Sequence, residues 1–566
     1  MIADSSVDIV ERAFGDPWDN GNPVGFAALL EADERQQMPA AGEDLLDGIG
    51  LNAEFVPVRL GGRFTQVDRL AEVMRSVFRH DPCLGLGYGA SSFIASVNVW
   101  AAGNAAQHRA MASLLLDGHK VASCYHELRH GNDFSRAEFR ATPVPGGWRL
   151  NGRKEVVTNI QRAAAMVLFT RTSTNPGSRS HSQFFVDKAT LEAGTLRYLP
   201  RFPSSGMRGV QLGGAEFTDC DIPADCLLGR PGQGIETALC SFQLTRSALP
   251  SMLAGCLDTG LRVAVGCARE RRLYGSAATA LPHVRATLAG AFADLLIADS
   301  FCTVVTRALH LLPEQTSVFA SAVKYLVSGL MMDAMNGLGA VLGAQSYLRD
   351  GPYAIFQKHA RDLPPAGFGH ASRGACLVTI LPQLPRLARH AWLTAEPGPT
   401  ALFRIGAELP PLEFGRLTAG CATVDGLSGS LRAIAGEQPA DAVGRLAARF
   451  VTELDGLTDA CAALRPRELT IDSSPAARKL AARYATVLAA AACLSVWRHN
   501  QDHPSAFLRD DAWVVAALHR LTRYLGGPPV ITDGEASAAT SVLERETLAR
   551  HEGRRAFDLS NRELPG

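Results

Sequence analysis

Ser123-Cys-Tyr-His-Glu-Leu-Arg-His-Gly-Asn-Asp133 and, shortly after it, Gly146-Gly-Trp-Arg-Leu-Asn-Gly-Arg-Lys-Glu-Val-Val-Thr158 decide how this chain folds. The second stretch opens on a Pro-Gly-Gly turn signal, alternates apolar with polar residues at Trp148-Arg-Leu, and meets another turn signal at Asn151-Gly152. Alternation with a period of two, bounded by such turns, marks strands with one buried face. Similar short runs follow at Ala165-Met-Val-Leu-Phe, Gln183-Phe-Phe-Val and Ala215-Glu-Phe, so residues 121–230 read as a β-rich domain.

On either side the period changes to that of helices. Between Pro23 and Ala122 the residues Val67, Leu70, Val73, Met74 and Val77 recur at helical spacing, and Asp81-Pro82 begins a new segment. After Gly234 helical patterns run over Ile235–Glu270, His283–Leu312 and Ser317–Leu342, interrupted at Asp350-Gly351-Pro352 and at Pro364-Pro365. A looser segment, Thr394–Gly436, contains Pro397, Pro399, Pro410 and Pro411 and reads as a linker. Amphipathic helices return over Ala440–Leu464, Pro475–Asn500 and Leu508–Leu525, and the remainder reads as polar. The expected division is an N-terminal helical domain (1–120), a middle β domain (121–230), a helical bundle (231–392), a linker (393–436) and an additional helical domain (437–566).

Bulk composition narrows the function classes. With 47% hydrophobic and 20% charged residues over 566 positions and a formal charge of zero, the chain fits a soluble globular protein. It offers no global electrostatic case for nucleic acid. Twelve cysteines lack any C-x-x-C pair, and Cys220 and Cys226 do not fit a zinc pattern, so no metal site is expected. The beginning of the chain lacks a basic n-region, and reduced thiols in a cytoplasmic setting are the expectation. The most apolar stretch, Tyr484–Trp497, reads as too short to span a bilayer, so no stable membrane insertion is expected.

The order helical, β, helical, with these residues at its junctions, resembles the acyl-CoA dehydrogenase family over residues 20–390. The resemblance implies a mainly α fold with a central β domain: an N-terminal helical domain, a middle β-barrel and a C-terminal four-helix bundle, here with an extra helical domain. Glu127, Gly131 and Asp133 keep the family spacing of Thr-Glu and Gly-Ser-Asp, with His126 at the family's threonine and Asn132 at its serine. By the resemblance, this loop offers backbone N–H groups and short polar side chains to the ring and pyrophosphate of FAD. Thr158 would bond near flavin N5, and Val156 stands where the family has a ring-covering tryptophan. Tyr125 is read as a further cofactor contact. Gly206-Met-Arg-Gly-Val210, Phe217-Thr-Asp-Cys-Asp-Ile-Pro-Ala-Asp225 and Leu228-Gly229 look like the family's last strands and exit. Glu270-Arg-Arg-Leu-Tyr-Gly275 is similar to the family's Glu-Arg-x-x-Phe-Gly. There Arg271 would reach FAD phosphate or adenine across a subunit interface and Tyr274 would line the same site.

In this family a carboxylate removes the α-proton of an acyl thioester while a hydride leaves Cβ for the flavin. The base sits in a Tyr-Glu-Gly-Thr motif after an Arg-Asp pair, here Arg361-Asp362; counting without a gap puts His370 on the glutamate, Ala371 on the glycine and Ser372 on the threonine. Some relatives carry the glutamate at the position of Thr245, beside Arg246, but Phe242, Gln243, Leu244 and Thr245 are all uncharged. An imidazole with an ordinary pKa near 6.5 can accept a proton at neutral pH, which makes His370 the candidate base. Arg246 is either a substrate contact or a structural anchor.

Three readings follow from the resemblance. The first is an FAD-dependent oxidoreductase for an acyl-CoA or acyl-carrier-protein substrate, in a specialised pathway, with electron-transfer flavoprotein or oxygen as acceptor. The second is a non-catalytic or half-site subunit, favoured by Ala340 at the glutamine of the family's Gln-x-x-Gly-Gly. The third is a flavin-dependent monooxygenase on the same fold. A histidine in a Gly-Pro-rich loop is most often solvated or structural, and His370 rises above that only through its aligned position. The additional domain, reminiscent of extensions in very-long-chain dehydrogenases and acyl-CoA oxidases, would make the protein a homodimer.

Overall fold

A computed structural model of the protein describes residues 5–369, 371–420, 422–437 and 440–565. The chain forms two compact units, Met1–Thr245 and Arg246–Gly566.

The first unit begins with helices α1 (Ser6–Phe14), α2 (Phe26–Glu34), α3 (Ala40–Gly48), α4 (Val67–His80), α5 (Ser91–Ala102) and α6 (Ala105–Leu116). Helix α1 starts on a capping box in which Ser5 and Asp8 satisfy each other's backbone N–H groups. On α4 the five apolar residues at helical spacing are all buried. A single π-helical turn, Leu84–Ala90, precedes α5. A Cβ on Gly85 would lie 2.6 Å from the Phe78 ring, so only glycine lets the turn pack against α4.

The β domain comprises β1 (Val121–Cys124), β2 (Arg140–Val144), β3 (Gly147–Thr158), β4 (Ala165–Arg171), β5 (His181–Asp187), β6 (Leu196–Leu199), β7 (Leu212–Pro223) and β8 (Leu227–Leu228). They form one sheet in the order β6-β7-β3-β2-β4-β5-β8, with β1 parallel to β4. Leu150 and Val157 from β3, Met166 and Leu168 from β4, Phe184 and Val186 from β5 and Phe217 from β7 fill its core. β4 and β5 are buried along nearly their whole length, whereas the end of β7 alternates, with Cys220 and Ile222 buried and Asp219, Asp221 and Pro223 exposed.

Helix α7 (Gly234–Glu270) carries the division between the units along its length. The second unit continues with α8 (Pro282–Leu311), α9 (Thr316–Leu342), α10 (Ile355–Asp362), α11 (Pro365–Phe368), α12 (Arg373–Ile380), α13 (Leu384–Arg389), α14 (Gly426–Glu437), α15 (Ala442–Ala462), α16 (Pro475–His499), α17 (Ala506–Arg509), α18 (Asp511–Thr522) and α19 (Asp533–Glu552).

Three expectations need correction here. The stretch Tyr484–Trp497 belongs to a 25-residue helix, and α8, the stretch Thr316–Tyr347 and α16 are each long and apolar enough to cross a membrane. Protein already covers 89% and 78% of the most apolar windows of α8 and α16, and 56% of the window between them. The end of the expected linker is a helix, α14, because Leu427, Leu431 and Ile434 share one buried face. The polar end contains α19, which starts on a Thr532/Glu535 capping box and buries Ala539, Leu543, Thr547 and Arg550.

Buried polar groups bind the additional helices to the bundle. Asp425 accepts hydrogen bonds from Trp392 Nε1 (3.1 Å), Tyr484 and Ser428. Arg307 donates to the carbonyls of Ala401 and Ala407. Asp294 on α8 forms a two-pronged ion pair with Arg520 on α18. After α19 the chain returns to the bundle: Asp258 and Asp299 accept the N–H groups of Phe557 and Leu559 at 2.9 and 2.8 Å.

Candidate active site

In the first unit the quoted loop is anchored from below by an ion pair. Lys154 on β3 is fully buried and donates to Glu127 Oε1 at 2.8 Å and to the Tyr125 carbonyl at 3.0 Å. Glu127 also accepts the N–H groups of Glu138 (2.7 Å) and Phe139 (3.1 Å). Burial pushes the Glu127 carboxyl up, but Lys154 and the two N–H groups outweigh it and hold it below the usual carboxylate range. The loop is therefore fixed by a buried ion pair and the backbone groups bonded to it.

Above this anchor His126 and Val156 form an antiparallel bridge, so both are half-buried at the edge of the sheet. The His126 Nδ1 lies 3.1 Å from the Gly131 carbonyl, and burial lowers its pKa below the ordinary imidazole value. Gly131 has φ +54° with open space where a Cβ would be, and Asn132 beside it is half-buried. The Asn132 N–H has no acceptor among the described residues. Thr158 ends β3, half-buried, and the next residue ties that end to the π turn: Asn159 donates to the Gly87 carbonyl and to Ser91 Oγ (3.1 Å). An exposed N–H beside a left-handed glycine, with short polar side chains alongside, fits the polar part of a flavin dinucleotide.

Tyr125 does not share that position. Its side chain is 2% exposed, stacks on Phe169 at 5.1 Å and donates from its hydroxyl to Asn98 Oδ1 at 2.7 Å. Gln183 donates to the same hydroxyl at 2.8 Å. Packing on Phe169 and the hydrogen bonds with Asn98 and Gln183 hold the Tyr125 side chain in the core.

In the second unit Arg271 follows the end of α7. It lines a cavity of about 310 Å³ together with Cys267, Glu270, Leu342, Ala344, Gln345 and Tyr353. One guanidinium nitrogen donates to the Leu342 carbonyl at 3.3 Å. Arg271 has no ion-pair partner among the described residues, so its charge is available to an anion such as a phosphate. Tyr274 departs from the expectation that it shares this cavity. It sits at the tip of a two-stranded hairpin, Arg272–Leu273 with Ser276–Ala277, and is 95% exposed. Tyr274 and Gly275 have φ +52° and +85°, the geometry of a tight hairpin turn, which swings the ring outward.

His370 lies outside the described residues. Ala371, beside it, has φ +97° and is 6% exposed. A side chain seldom adopts that backbone, and a local cost of roughly 1–3 kcal/mol is usual for such a residue. This is the position that aligns with the family's glycine. Ser372 then caps α12 by accepting the Ala375 N–H at 3.2 Å.

Arg246 is 4% exposed and donates to Ser321 Oγ (3.1 Å) and Thr379 Oγ1 (3.4 Å), so it is held between α7, α9 and α12. Beside it lies Lys324 on α9, 1% exposed, which the sequence reading did not single out. Burial brings its amine down to about 8; the Cys376 thiol opposes this and the Arg246 charge adds to it. The one signal in the sequence is a lysine inside the apolar run Ala322-Val-Lys-Tyr-Leu-Val. Lys154 was missed likewise, although it sits three residues from Val157 in a quoted stretch. No cluster of metal-ligating side chains occurs among the described residues, and their eleven cysteines are free thiols.

The order of helices, β domain and helical bundle is the fold of solved acyl-CoA dehydrogenases. Residues 232–369 match the model of the acyl-CoA dehydrogenase C-terminal domain. The human mitochondrial short-chain specific acyl-CoA dehydrogenase is 26% identical over 342 residues, 60% of this chain and 80% of that protein. A structure of PigA in complex with FAD superimposes with a TM-score of 0.60 at 17% identity, covering 68% of this chain and 98% of that one. The prolyl acyl carrier protein oxidase AnaB gives 0.59 at 17% identity, covering 66% and 97%. Residues 232–369 are thus similar to the acyl-CoA dehydrogenase C-terminal domain, and about two thirds of the chain shares the fold of these solved structures. About a third of it lies beyond what these structures cover.

Proposed function

We propose that the protein is an FAD-dependent oxidoreductase of the acyl-CoA dehydrogenase type that acts on an acyl thioester carried by CoA or by a carrier protein. The observation that supports this most is Arg271, whose guanidinium faces a cavity of about 310 Å³ and is held there by a single backbone carbonyl. When bound, FAD supplies the hydride acceptor. In the first unit the Asn132 N–H takes an anionic oxygen and the Thr158 hydroxyl the polar edge of the ring; in the second unit Arg271 takes a phosphate oxygen of an FAD held across a subunit interface. Val156 leaves more room at the ring than tryptophan would. His126 stays neutral, consistent with its lowered pKa.

His370 takes the α-proton in this reading. The similarity of residues 232–369 to the acyl-CoA dehydrogenase C-terminal domain, a structural relative solved with FAD and another that is a prolyl acyl carrier protein oxidase support the cofactor and substrate class. The exposed Tyr274 suits a contact made beyond its own protomer, in a homodimer. A cytoplasmic location, a specialised pathway, and electron-transfer flavoprotein or oxygen as acceptor belong to the same proposal.

The test is to purify the protein and mix it anaerobically with acyl-CoA and acyl-carrier thioesters. A yellow protein whose flavin bleaches supports the reading, and loss of bleaching in His370→Ala supports the assigned base. A colourless protein that takes up no FAD would sink the reading in favour of a half-site subunit, the alternative favoured by the uncharged run Phe242–Thr245 and by Ala340. No bleaching, with oxygen-dependent product once a flavin reductase is added, would indicate the monooxygenase.

A further inference from the structure

Helices α8, α18 and α19 surround a cavity of about 190 Å³ in the second unit. The space exists because small residues stand where the three helices meet: Ala289, Gly290 and Ala293 on α8, Ala516 on α18 and Ala536 on α19. A Cβ on Gly290 would lie 2.8 Å from Nη1 of Arg520, so that end of the guanidinium reaches the α8 wall.

The polar groups are concentrated on one side. His519 and Arg520 in the last turn of α18, and Arg523 just past it, all line the cavity. Arg520 gives Nε and Nη2 to Asp294, and its Nη1 has no acceptor among the described residues. Arg523 is exposed, and its Nε donates to the Arg520 carbonyl at 3.4 Å. Its two terminal nitrogens have no acceptor and no ion-pair partner among the described residues. The half-buried His519 ring has no hydrogen-bond partner among them either. Cations at a helix C-terminus suit its dipole, but that accounts neither for the cavity nor for the unused donors.

Asp294 offsets one of the two guanidinium charges, and no other carboxylate among the described residues pairs with either. Asp333 and Asp533 act on Arg520 and His519 only through space. Burial, with the Arg523 charge adding to it, holds the His519 imidazole below its ordinary pKa, so it supplies a donor and not a second charge. A single uncompensated guanidinium in front of apolar walls is the complement of a monoanion with a compact apolar body. A carboxylate accepts from the guanidinium fork, and its hydrocarbon part fills the space the alanines leave.

We propose that this cavity binds a small organic carboxylate, with its charged end on Arg523 and on Nη1 of Arg520 and its apolar body against the alanines of α8 and α19. None of the lining residues is among those assigned to FAD or to the acyl thioester, and the site works without either. Two of its three walls belong to the additional helical domain, so an occupant stabilises the packing of that domain on the bundle.

The experiment is isothermal titration of the intact protein with benzoate and 3-methylbutanoate, with neutral benzamide and with inorganic phosphate, repeated in Arg523→Gln and Ala536→Leu. At least one carboxylate should bind tenfold or more tightly than benzamide and phosphate. Arg523→Gln should remove the preference over benzamide. Ala536→Leu, which fills the cavity and leaves the charges in place, should weaken the carboxylate at least tenfold. No binding of either carboxylate overturns the proposal, as does binding that both variants leave unchanged. Phosphate binding more tightly than the carboxylates also overturns it, in favour of an inorganic anion. Should Ala536→Leu fail to fold, the exposed Arg523→Gln decides. Failure of the FAD reading leaves these titrations unaffected.

Discussion

Two buried lysines show how differently the two units treat the same physical problem. Lys154 in the β domain is removed from water, but a carboxylate at 2.8 Å and a carbonyl at 3.0 Å replace the solvent it lost. Lys324 in the helical bundle is removed from water to the same degree, yet its charged neighbour is another cation. The first arrangement is complete as it stands and holds a loop. In the second no carboxylate of the described residues acts on the amine, and burial brings its pKa down to about 8.

The strongest way to break this comparison is to unbalance the complete pair. Glu127→Gln should destabilise the first unit by about 3–5 kcal/mol, because it leaves a buried ammonium without its counter-ion. Glu127→Gln combined with Lys154→Met should recover most of that loss. Urea denaturation followed by the fluorescence of Trp148 would read both, and a double variant no better than the single one would refute the idea that the charges compensate each other.

Lys324 makes a prediction of pH dependence. The Lys324 amine loses its proton near 8 in the folded protein against 10.5 when exposed. Between those values the unfolded chain binds the extra proton, so stability must rise with pH across that window, by up to about 3 kcal/mol. Lys324→Met should flatten the rise. A slope that is unchanged in the variant would show that Lys324 is not its source.

Two smaller effects sharpen the contrast. Ala371 carries a backbone penalty with no visible compensation, so Ala371→Gly should stabilise the protein by about 1 kcal/mol. An unchanged or lowered melting temperature would argue against strain there. Thr532, by contrast, completes a capping box with Glu535, and Thr532→Ala should lower stability by roughly 1 kcal/mol in thermal unfolding. No change would mean that α19 needs no cap.

Much of this was legible in the residues themselves. The strands showed as short apolar runs between turn signals, and α7, α8 and α9 showed because their apolar positions recur over many turns. Helix α19 escaped because alanine, threonine and an arginine make up much of its buried face. Its capping box, Thr532-Asp-Gly-Glu535, was the signal to have used. The stretch before α14 reads as loose from its prolines, yet Asp425 gathers Trp392, Ser428 and Tyr484 around one carboxylate, a link between distant positions that no local pattern encodes. The site divides in the same way. Val156 and Thr158 lie near the end of β3, Asn132 in the turn after Gly131, and Arg271 just past the end of α7. Tyr125 and Lys324 were misread or missed because whether a side chain faces inward depends on what packs against it.

The return of the chain after α19 bears on how the protein is made. Asp258 and Asp299 wait on α7 and α8 for backbone groups that lie 299 and 260 residues further along. Until Leu559 has been synthesised and has left the ribosome, both carboxylates face an unfinished surface, and the helices around them are exposed to other chains. Closure of this part of the second unit is therefore a late event in translation.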